Sequence, residues 1–478
     1  MRRRFADLIL LLPVLAWACS SSSGPDNAAP SVSIATPLAG SAFARGDTVA
    51  VEVTASDPDG VVVAVWLYTD NSYLGVDSTS PYLFRWDTRD EALGRHVLKA
   101  VAEDDYGWRS DRDVGVRIRW GGLPPEQLED GWETSTAEAE GVDAERLAAM
   151  VDEICAGGYE FMHALLVARN GKLVFEEYFN GFERDSLQHV QSTTKSFTSA
   201  LVGIAIDRGE IGSVTDPMVD YLPEYAHLFD GGKERITIEH CLMMAAGLEW
   251  NEISTPTYDP NNDNIRGHVV SDYVAYVLGK PLVEEPGTVW YYNSGCPLTM
   301  GAILRNATGV PADDYAAEYL FGPLGIVPVV WPSINGGMHV GTHGSLYVRG
   351  RDMAKFGQLF LQDGVWGGEQ VISTEWVAES TRPRLTVSGD VRYGYQWWFE
   401  EMSGNDVPYT SGYGGQHIFV VPDLDTVIVT AADYSDSSGM SRQRAQIMYL
   451  VEHWIVPAVP SSTVAGGTVQ LIQQWPEN

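Results

Sequence analysis

Ser192 and Lys195 stand three positions apart in Gln191-Ser192-Thr193-Thr194-Lys195-Ser196-Phe197, just ahead of the apolar run Leu201-Val202-Gly203-Ile204-Ala205. On a helix, residues i and i+3 share a face, so the spacing predicts a lysine amine beside the serine hydroxyl. A serine is a weak nucleophile until a base removes its proton, and a lysine stripped of water at a helix start can be that base. The helix N-terminus adds free N–H groups and a positive dipole end, both favourable to a developing oxyanion. The competing reading is that Ser192 merely caps a core helix. Of the six lysines in the chain, Lys195 is the one with a serine three residues before it. Four residues alone decide nothing, so the elements around them have to.

A chain of 478 residues exceeds a single core and predicts two or three domains. With 45% hydrophobic and 11% aromatic residues it is a folded protein rather than a disordered one. Its net charge of −33 argues against nucleic acid as a partner. Arg2-Arg3-Arg4, the apolar run 8–18 and Cys19 read as a secretory signal. The run is too short to span a membrane as a mature helix. Leu15-Ala16-Trp17-Ala18-Cys19 resembles a bacterial lipoprotein cleavage box, which would leave a lipid on the Cys19 thiol as a membrane anchor. Residue Ser20 resembles the outer-membrane sorting signal of Gram-negative lipoproteins, so an envelope location is expected. The reading is thus a signal peptide at 1–18 and a flexible tether at 19–29. Cys155, Cys241 and Cys296 remain; at most one disulfide can form, and three small apolar thiols are the simpler expectation. No Cys/His spacing predicts a zinc site, and serine–lysine chemistry calls for no metal or other cofactor.

Residues 30–119 read as about seven short strands broken by turns, the texture of a small β-sandwich. Thr48-Val49-Ala50-Val51-Glu52-Val53 alternates as a half-buried strand does, and Asp57-Pro58-Asp59-Gly60 is a turn. This texture resembles bacterial extracellular Ig-like modules. Asp57, Asp59, Asp104 and Asp105 could surround a calcium ion, although aspartates in turns ordinarily serve the turn. Residues 120–129 read as a linker to a second domain at 130–459, followed by a tail at 460–478. In that domain a helix is expected near 143–156. Asn170-Gly171 between two apolar runs predicts a hairpin. The Ser192 helix should end near Gly209, a helix 238–246 should end at Gly247, and a further helix is expected over 351–360. Strands return at 395–399, 417–421 and 426–430, and a helix near 442–454 closes the domain. The expected fold is α+β: one antiparallel sheet joining the first and last segments, covered by helices, with a helical domain inserted.

These motifs resemble the serine β-lactamase and penicillin-binding-protein superfamily, in the class C-related branch with esterases and 6-aminohexanoate-dimer hydrolases. Ser192-Thr193-Thr194-Lys195 matches the Ser-x-x-Lys element of that family. "EEPGTVWYYNSGCPLTMGAIL" matches the Tyr-x-Asn element, with Tyr292 as the tyrosine and Ser294 in place of asparagine. Tyr413-Gly414-Gly415 stands where β-lactamases have Lys-Thr-Gly, and "TIEHCLMMAAGLEW" and "YGYQWW" match as well. The resemblance implies that Ser192 attacks a carbonyl while Lys195 and Tyr292 share the proton. It implies an oxyanion hole from the backbone N–H groups of Ser192 and Gln416. Ser294, Tyr413, Gly414 and Gly415 would line the substrate, the glycines clearing a strand edge for it. A phenolic base needs a pKa well under its usual value of about 10, and the Lys195 ammonium is the expected cause. With Tyr413 in place of the lysine, esters or simple amides are the expected substrates. A β-lactamase or D-Ala-D-Ala-type peptidase is the first rival, and a catalytically inactive adhesion lipoprotein the second. His417, His240, Trp397 and Tyr291 are expected to be structural, with one of Trp397 and Trp398 a possible cleft wall.

Overall fold

The computed structural model describes residues 27–256, 259–435 and 440–460. The signal, the cleavage box with Cys19, and the C-terminal tail lie outside the described residues. The chain divides into two compact units that meet at Ile118 and Arg119.

The first unit is a β-sandwich. One sheet runs β1 (Ser31–Thr36), β3 (Thr48–Ser56), β6 (Tyr82–Asp87). The other runs β2 (Ala42–Ala44), β8 (Arg109–Arg119), β7 (Gly94–Asp104), β4 (Val62–Thr69), β5 (Ser72–Asp77). Alternation along β3 buries Val49, Val51 and Val53 against Val65, Leu67, Leu98 and Trp86. Strands β2 and β5 are the edges of their sheet and hold no buried residue. The aspartates at its turns accept backbone donors: Asp57 from Asp59 and Gly60, Asp104 from Tyr106 and Trp108, Asp105 from Val61, and Asp59 from Ala28. These aspartates thus serve their turns, as residues of that type ordinarily do.

The second unit is built on one nine-stranded sheet. Its strands are β9 (Glu133–Thr134), β10 (Met162–Arg169), β11 (Lys172–Tyr178), β12 (Leu385–Ser388), β13 (Val391–Tyr393), β14 (Trp398–Met402), β15 (Asn405–Gly412), β16 (Gln416–Val421) and β17 (Thr426–Ala432). Their order is β12-β13-β14-β15-β16-β17-β10-β11-β9. The antiparallel β10–β17 pairing brings the early hairpin against the late strands, while the short β9 departs from the expected antiparallel sheet by pairing parallel to β11. Asn170 and Gly171 take φ of +51° and +76° in the hairpin turn, the left-handed pair that Asn-Gly supplies at least cost. The expected linker does not hang free. Trp120 packs on Phe175 with ring centroids 5.2 Å apart, and the Glu126 carbonyl accepts from buried Arg351, which also pairs with Glu176 and Asp130.

Helices α1 (Ala144–Glu153), α2 (Thr194–Asp207), α3 (Ile238–Leu242), α4 (Asp263–Val269), α5 (Tyr273–Leu278), α6 (Gly295–Thr308), α7 (Ala312–Ala316), α8 (Gly350–Leu361), α9 (Thr374–Ser380) and α10 (Met440–Leu450) complete it. Asp143 caps α1 by accepting from the Arg146 N–H, as its residue type predicts. Twelve of the fourteen residues of α2 are buried, so the Ser192 segment leads straight into the core. The helix α3 corrects the expectation: it stops at Leu242, not at Gly247. The Gln396 amide donates to the carbonyls of Cys241 and Leu242, and Met244 turns to a φ of +59°. The Met244 and Ala245 carbonyls then receive the N–H groups of Tyr291 and Gly287. Ending α3 early thereby fixes the segment that carries Tyr292. The strand expected from 395 begins instead at Trp398, because Gln396 sits at a φ of +67° to make that reach.

Candidate active site

Ser192 lies in a tight turn of three-residue pitch, Gln191–Thr193, and the α-helix proper begins at Thr194. Both intervening threonines hold the turn in place. The Thr193 hydroxyl donates to the Gln416 carbonyl at 2.7 Å, which ties the turn to the sheet. The Thr194 hydroxyl donates to the Gln191 carbonyl at 2.6 Å and accepts from the Leu346 N–H at 3.2 Å. One turn further, Ser196 and Thr198 donate to the carbonyls of Gln396 and Thr342. A hydroxyl on each face of the helix start anchors it to a different neighbour, which holds Ser192 while α2 supplies burial beneath it.

Lys195 reaches back to Ser192 as the spacing predicts: its Nζ donates to the Ser192 Oγ at 2.8 Å. Nζ also donates to the His343 carbonyl at 2.5 Å. Lys195 is 2% exposed, and burial lowers its pKa from 10.5 to about 8, against a smaller upward pull from Glu252. Its Nζ stands 5.2 Å from the centre of the Tyr292 ring. The charge state of Tyr292 is opposite to the expectation. Burial, seconded by the Glu252 charge, pushes the phenol above its usual value, and the hydrogen bonds from Ser192 and Ser294 only partly offset this. A desolvated phenolate costs more than a neighbouring lysine returns, and burial at the same time draws that lysine's own pKa down. Lys195, not Tyr292, is the group drawn toward neutral pH.

Ser294 is 1% exposed, and its hydroxyl donates to a Glu252 carboxylate oxygen at 2.7 Å. Glu252 is a site residue that the sequence reading missed. It lies in an irregular stretch with no periodicity to single it out, 42 positions from the serine it binds.

Tyr413, Gly414 and Gly415 form the turn of the β15–β16 hairpin, which Gly412 and Gln416 close as a pair. The reason for the glycines differs from the expectation. Gly414 and Gly415 take φ of +86° and +100°, and a Cβ on either would meet this chain rather than a substrate: the Tyr434 Cβ at 2.6 Å and the Ile447 Cδ1 at 2.1 Å. Replacing Gly415 with alanine is expected to destabilise the protein by about 2 kcal/mol or more, through backbone strain and overpacking together. Chemical denaturation reads this directly. The Gln416 side chain turns away toward the Ala432 carbonyl, while its own carbonyl holds Thr193.

His417 is 1% exposed, bonded through Nδ1 to the Thr410 carbonyl at 3.0 Å, and burial lowers its pKa to about 3. It is a neutral core histidine. His240 completes the cap of α3 with Thr237. Trp397 is fully buried against Phe356 and Phe360, whereas Trp398, on the other face of the strand, stacks on Tyr292 with centroids 6.2 Å apart. Tyr291 is 43% exposed and Tyr292 9%, so the two point to opposite sides. His189 stacks on Tyr347 with ring centroids 4.3 Å apart and meets Tyr434 edge-on. Cys241 and Cys296 are buried thiols and Cys155 is half-buried; none of the three is in a disulfide.

A family model described as "Beta-lactamase" matches residues 159–451, and one described as "Bacterial Ig domain" matches residues 30–100. The 6-aminohexanoate-dimer hydrolase of Paenarthrobacter ureafaciens is 26% identical over 293 residues, covering 57% of this chain and 73% of that protein. A Bacillus anthracis structure assigned as a 6-aminohexanoate-dimer hydrolase superposes with a TM-score of 0.55 at 20% identity, over 68% of this chain and 84% of that one. The D-stereospecific amidohydrolase of a Streptomyces species gives 0.51 at 18% identity, over 64% and 98%. At these identities the structural likeness speaks for the fold.

Proposed function

Because the chain belongs to the β-lactamase family of hydrolases and carries a bacterial Ig-like domain in front, we propose that it is a serine hydrolase cleaving esters or simple amides through an acyl-enzyme on Ser192. The observation that carries this reading is the 2.8 Å contact between the Ser192 Oγ and a buried lysine whose pKa lies at about 8. A neutral Lys195 takes the Ser192 proton as Oγ attacks the carbonyl carbon. The backbone N–H groups of Ser192 and Gln416 hold the oxyanion, a contribution of roughly 3 kcal/mol for each well-placed donor. Tyr292, kept protonated, gives its proton to the departing alcohol or amine and is reprotonated from the Lys195 ammonium. Water then opens the acyl ester, its proton returning along the same two groups to the Ser192 Oγ. Every step moves protons and bonding pairs only, so the cycle closes without cofactor or metal.

The absence of a lysine at Tyr413, together with a relative named for an amide dimer, supports esters and simple amides over β-lactams. In this reading the substrate passes the half-buried Tyr413 at the β15–β16 turn, with half-buried Trp398 as a wall. The sequence of the cleavage box supports an envelope protein anchored through a lipid on Cys19. Incubating the purified protein with p-nitrophenyl butyrate and with a chromogenic cephalosporin tests the substrate class. Ester turnover with little cephalosporin turnover is expected. Rapid cephalosporin turnover without ester cleavage would make the protein a β-lactamase.

A further inference from the structure

Glu252 has no part in the cycle just described, yet its carboxylate is fully engaged at the edge of the site. One oxygen accepts from the Ser294 Oγ at 2.7 Å, and the other accepts from the Ser294 N–H and the Trp250 Nε1, each at 2.9 Å. The irregular stretch that bears it is clamped from several directions. Asn262 donates to the Glu252 carbonyl at 2.9 Å and to the Thr255 carbonyl at 3.0 Å. The Asn251 N–H donates at 2.6 Å to Asp263, which is itself tied to Lys280 and Tyr276. Ser254 and Thr255 both donate to the Asn251 side chain. A loop held this firmly presents its acid at one fixed place.

Two uses account for an acid there. Ser294 stands at the N-cap of α6 and makes no side-chain cap bond of its own, so Glu252 could serve only to satisfy that helix end. The hydroxyl contact points further. The Ser294 hydroxyl that Glu252 holds stands two positions after Tyr292, and together with the Ser192 hydroxyl it eases ionisation of the Tyr292 phenol. A helix cap needs the Ser294 N–H and not its hydroxyl. We propose that Glu252 is a positioning residue of the reaction, which acts through Ser294 to hold the Tyr292 hydroxyl over Ser192 and sets a fixed negative charge against the proton that Lys195 and Tyr292 exchange.

The inference rests on the hydrolase reading above. The groups facing Lys195 are Ser192 on its own segment, Tyr292 before α6, His343 from the loop before α8, and Glu252. Burial and the neighbouring His268 keep His343 neutral, its pKa well below the usual value. Among the described residues, Glu252 is then the charge that the Lys195 ammonium meets, and it raises the pKa of Lys195 and of Tyr292 alike. Removing that charge lets burial draw Lys195 lower still.

Steady-state kinetics on p-nitrophenyl butyrate across pH, beside thermal melting, test this with Glu252→Gln, Glu252→Asp and Ser294→Ala in the full chain. For Glu252→Gln, kcat is expected to fall about 10²-fold, KM to change little, and the acid limb of the pH profile to move to lower pH. Glu252→Asp keeps the charge and should return the limb toward its wild-type position. Ser294→Ala leaves the helix end capped, so it should melt like wild type and still lose about tenfold in kcat. Wild-type kcat in Ser294→Ala, or an unmoved limb in a folded Glu252→Gln, overturns the proposal and leaves a helix cap. If Glu252→Gln does not fold, Ser294→Ala alone decides. An inert wild type that no fluorophosphonate labels is a different result, and it is the hydrolase reading that then fails.

Discussion

Ser192→Ala is expected to lower ester hydrolysis by at least about 10⁴-fold, the scale on which losing the nucleophile of an acyl-transfer enzyme is measured. It should also abolish labelling by a fluorophosphonate, which reports an activated serine and nothing else. The protein should otherwise be unaltered. The Ser192 hydroxyl ties down no backbone, and Lys195 keeps its bond to the His343 carbonyl when that hydroxyl is gone. The turn itself is held by Thr193 and Thr194. Stability should therefore stay within about 0.5 kcal/mol of wild type, so that lost turnover cannot be put down to lost fold. Equal labelling of wild type and variant would mean that the probe reacts elsewhere. The protein would then be read as an adhesion lipoprotein on an inactive β-lactamase fold.

What the sequence carried, and what it did not, divides along the reach of the forces involved. Asn170-Gly171 is a local instruction, and the hairpin formed as read. Ser192 and Lys195 are likewise neighbours within one helical turn, and their contact follows from pitch alone. The end of α3 is not local: nothing between Ile238 and Gly247 announces that Gln396, some 150 positions later, takes the carbonyls of Cys241 and Leu242. Glu252 stayed hidden for the same reason. A lone acid in an irregular stretch has the look of a solvated side chain until Ser294 is placed against it. The glycines of the third motif stand out in the sequence as a substrate edge, whereas the need visible in the fold is for a left-handed turn packed on Tyr434 and Ile447. Tyr292 shows the remaining limit. Its proximity to Lys195 was legible, whereas the sign of its pKa shift depends on how much water the fold removes. Desolvation decides that sign, and it has no signature in residue spacing.

Lys195 should show its role as a base in the pH profile before any substitution is made. With a pKa of about 8, roughly a tenth of the molecules carry the neutral amine at pH 7. An ordinary lysine at 10.5 would supply about three hundredfold fewer. Hydrolysis should accordingly rise close to tenfold per pH unit on the acid side and level off above pH 8. Two substitutions separate the base from the charge. Lys195→Arg keeps a cation in the pocket, but arginine does not discharge in a protein, so it should lose about 10³-fold in kcat/KM and lose the acid limb with it. Lys195→Met removes base and charge together, should be as inactive, and should be more stable than wild type, because a fully buried amine has been replaced by a thioether of similar length. The sign follows from proton binding. A lysine whose pKa is lower folded than unfolded opposes folding wherever both states are protonated. The gain from methionine is thus complete below pH 8 and fades as the pH approaches 10.5. An enzyme that becomes more stable and stops working when one lysine is removed has placed that lysine for its chemistry. An arginine variant that retained wild-type turnover would instead assign Lys195 a purely electrostatic part and leave Ser192 in need of another base.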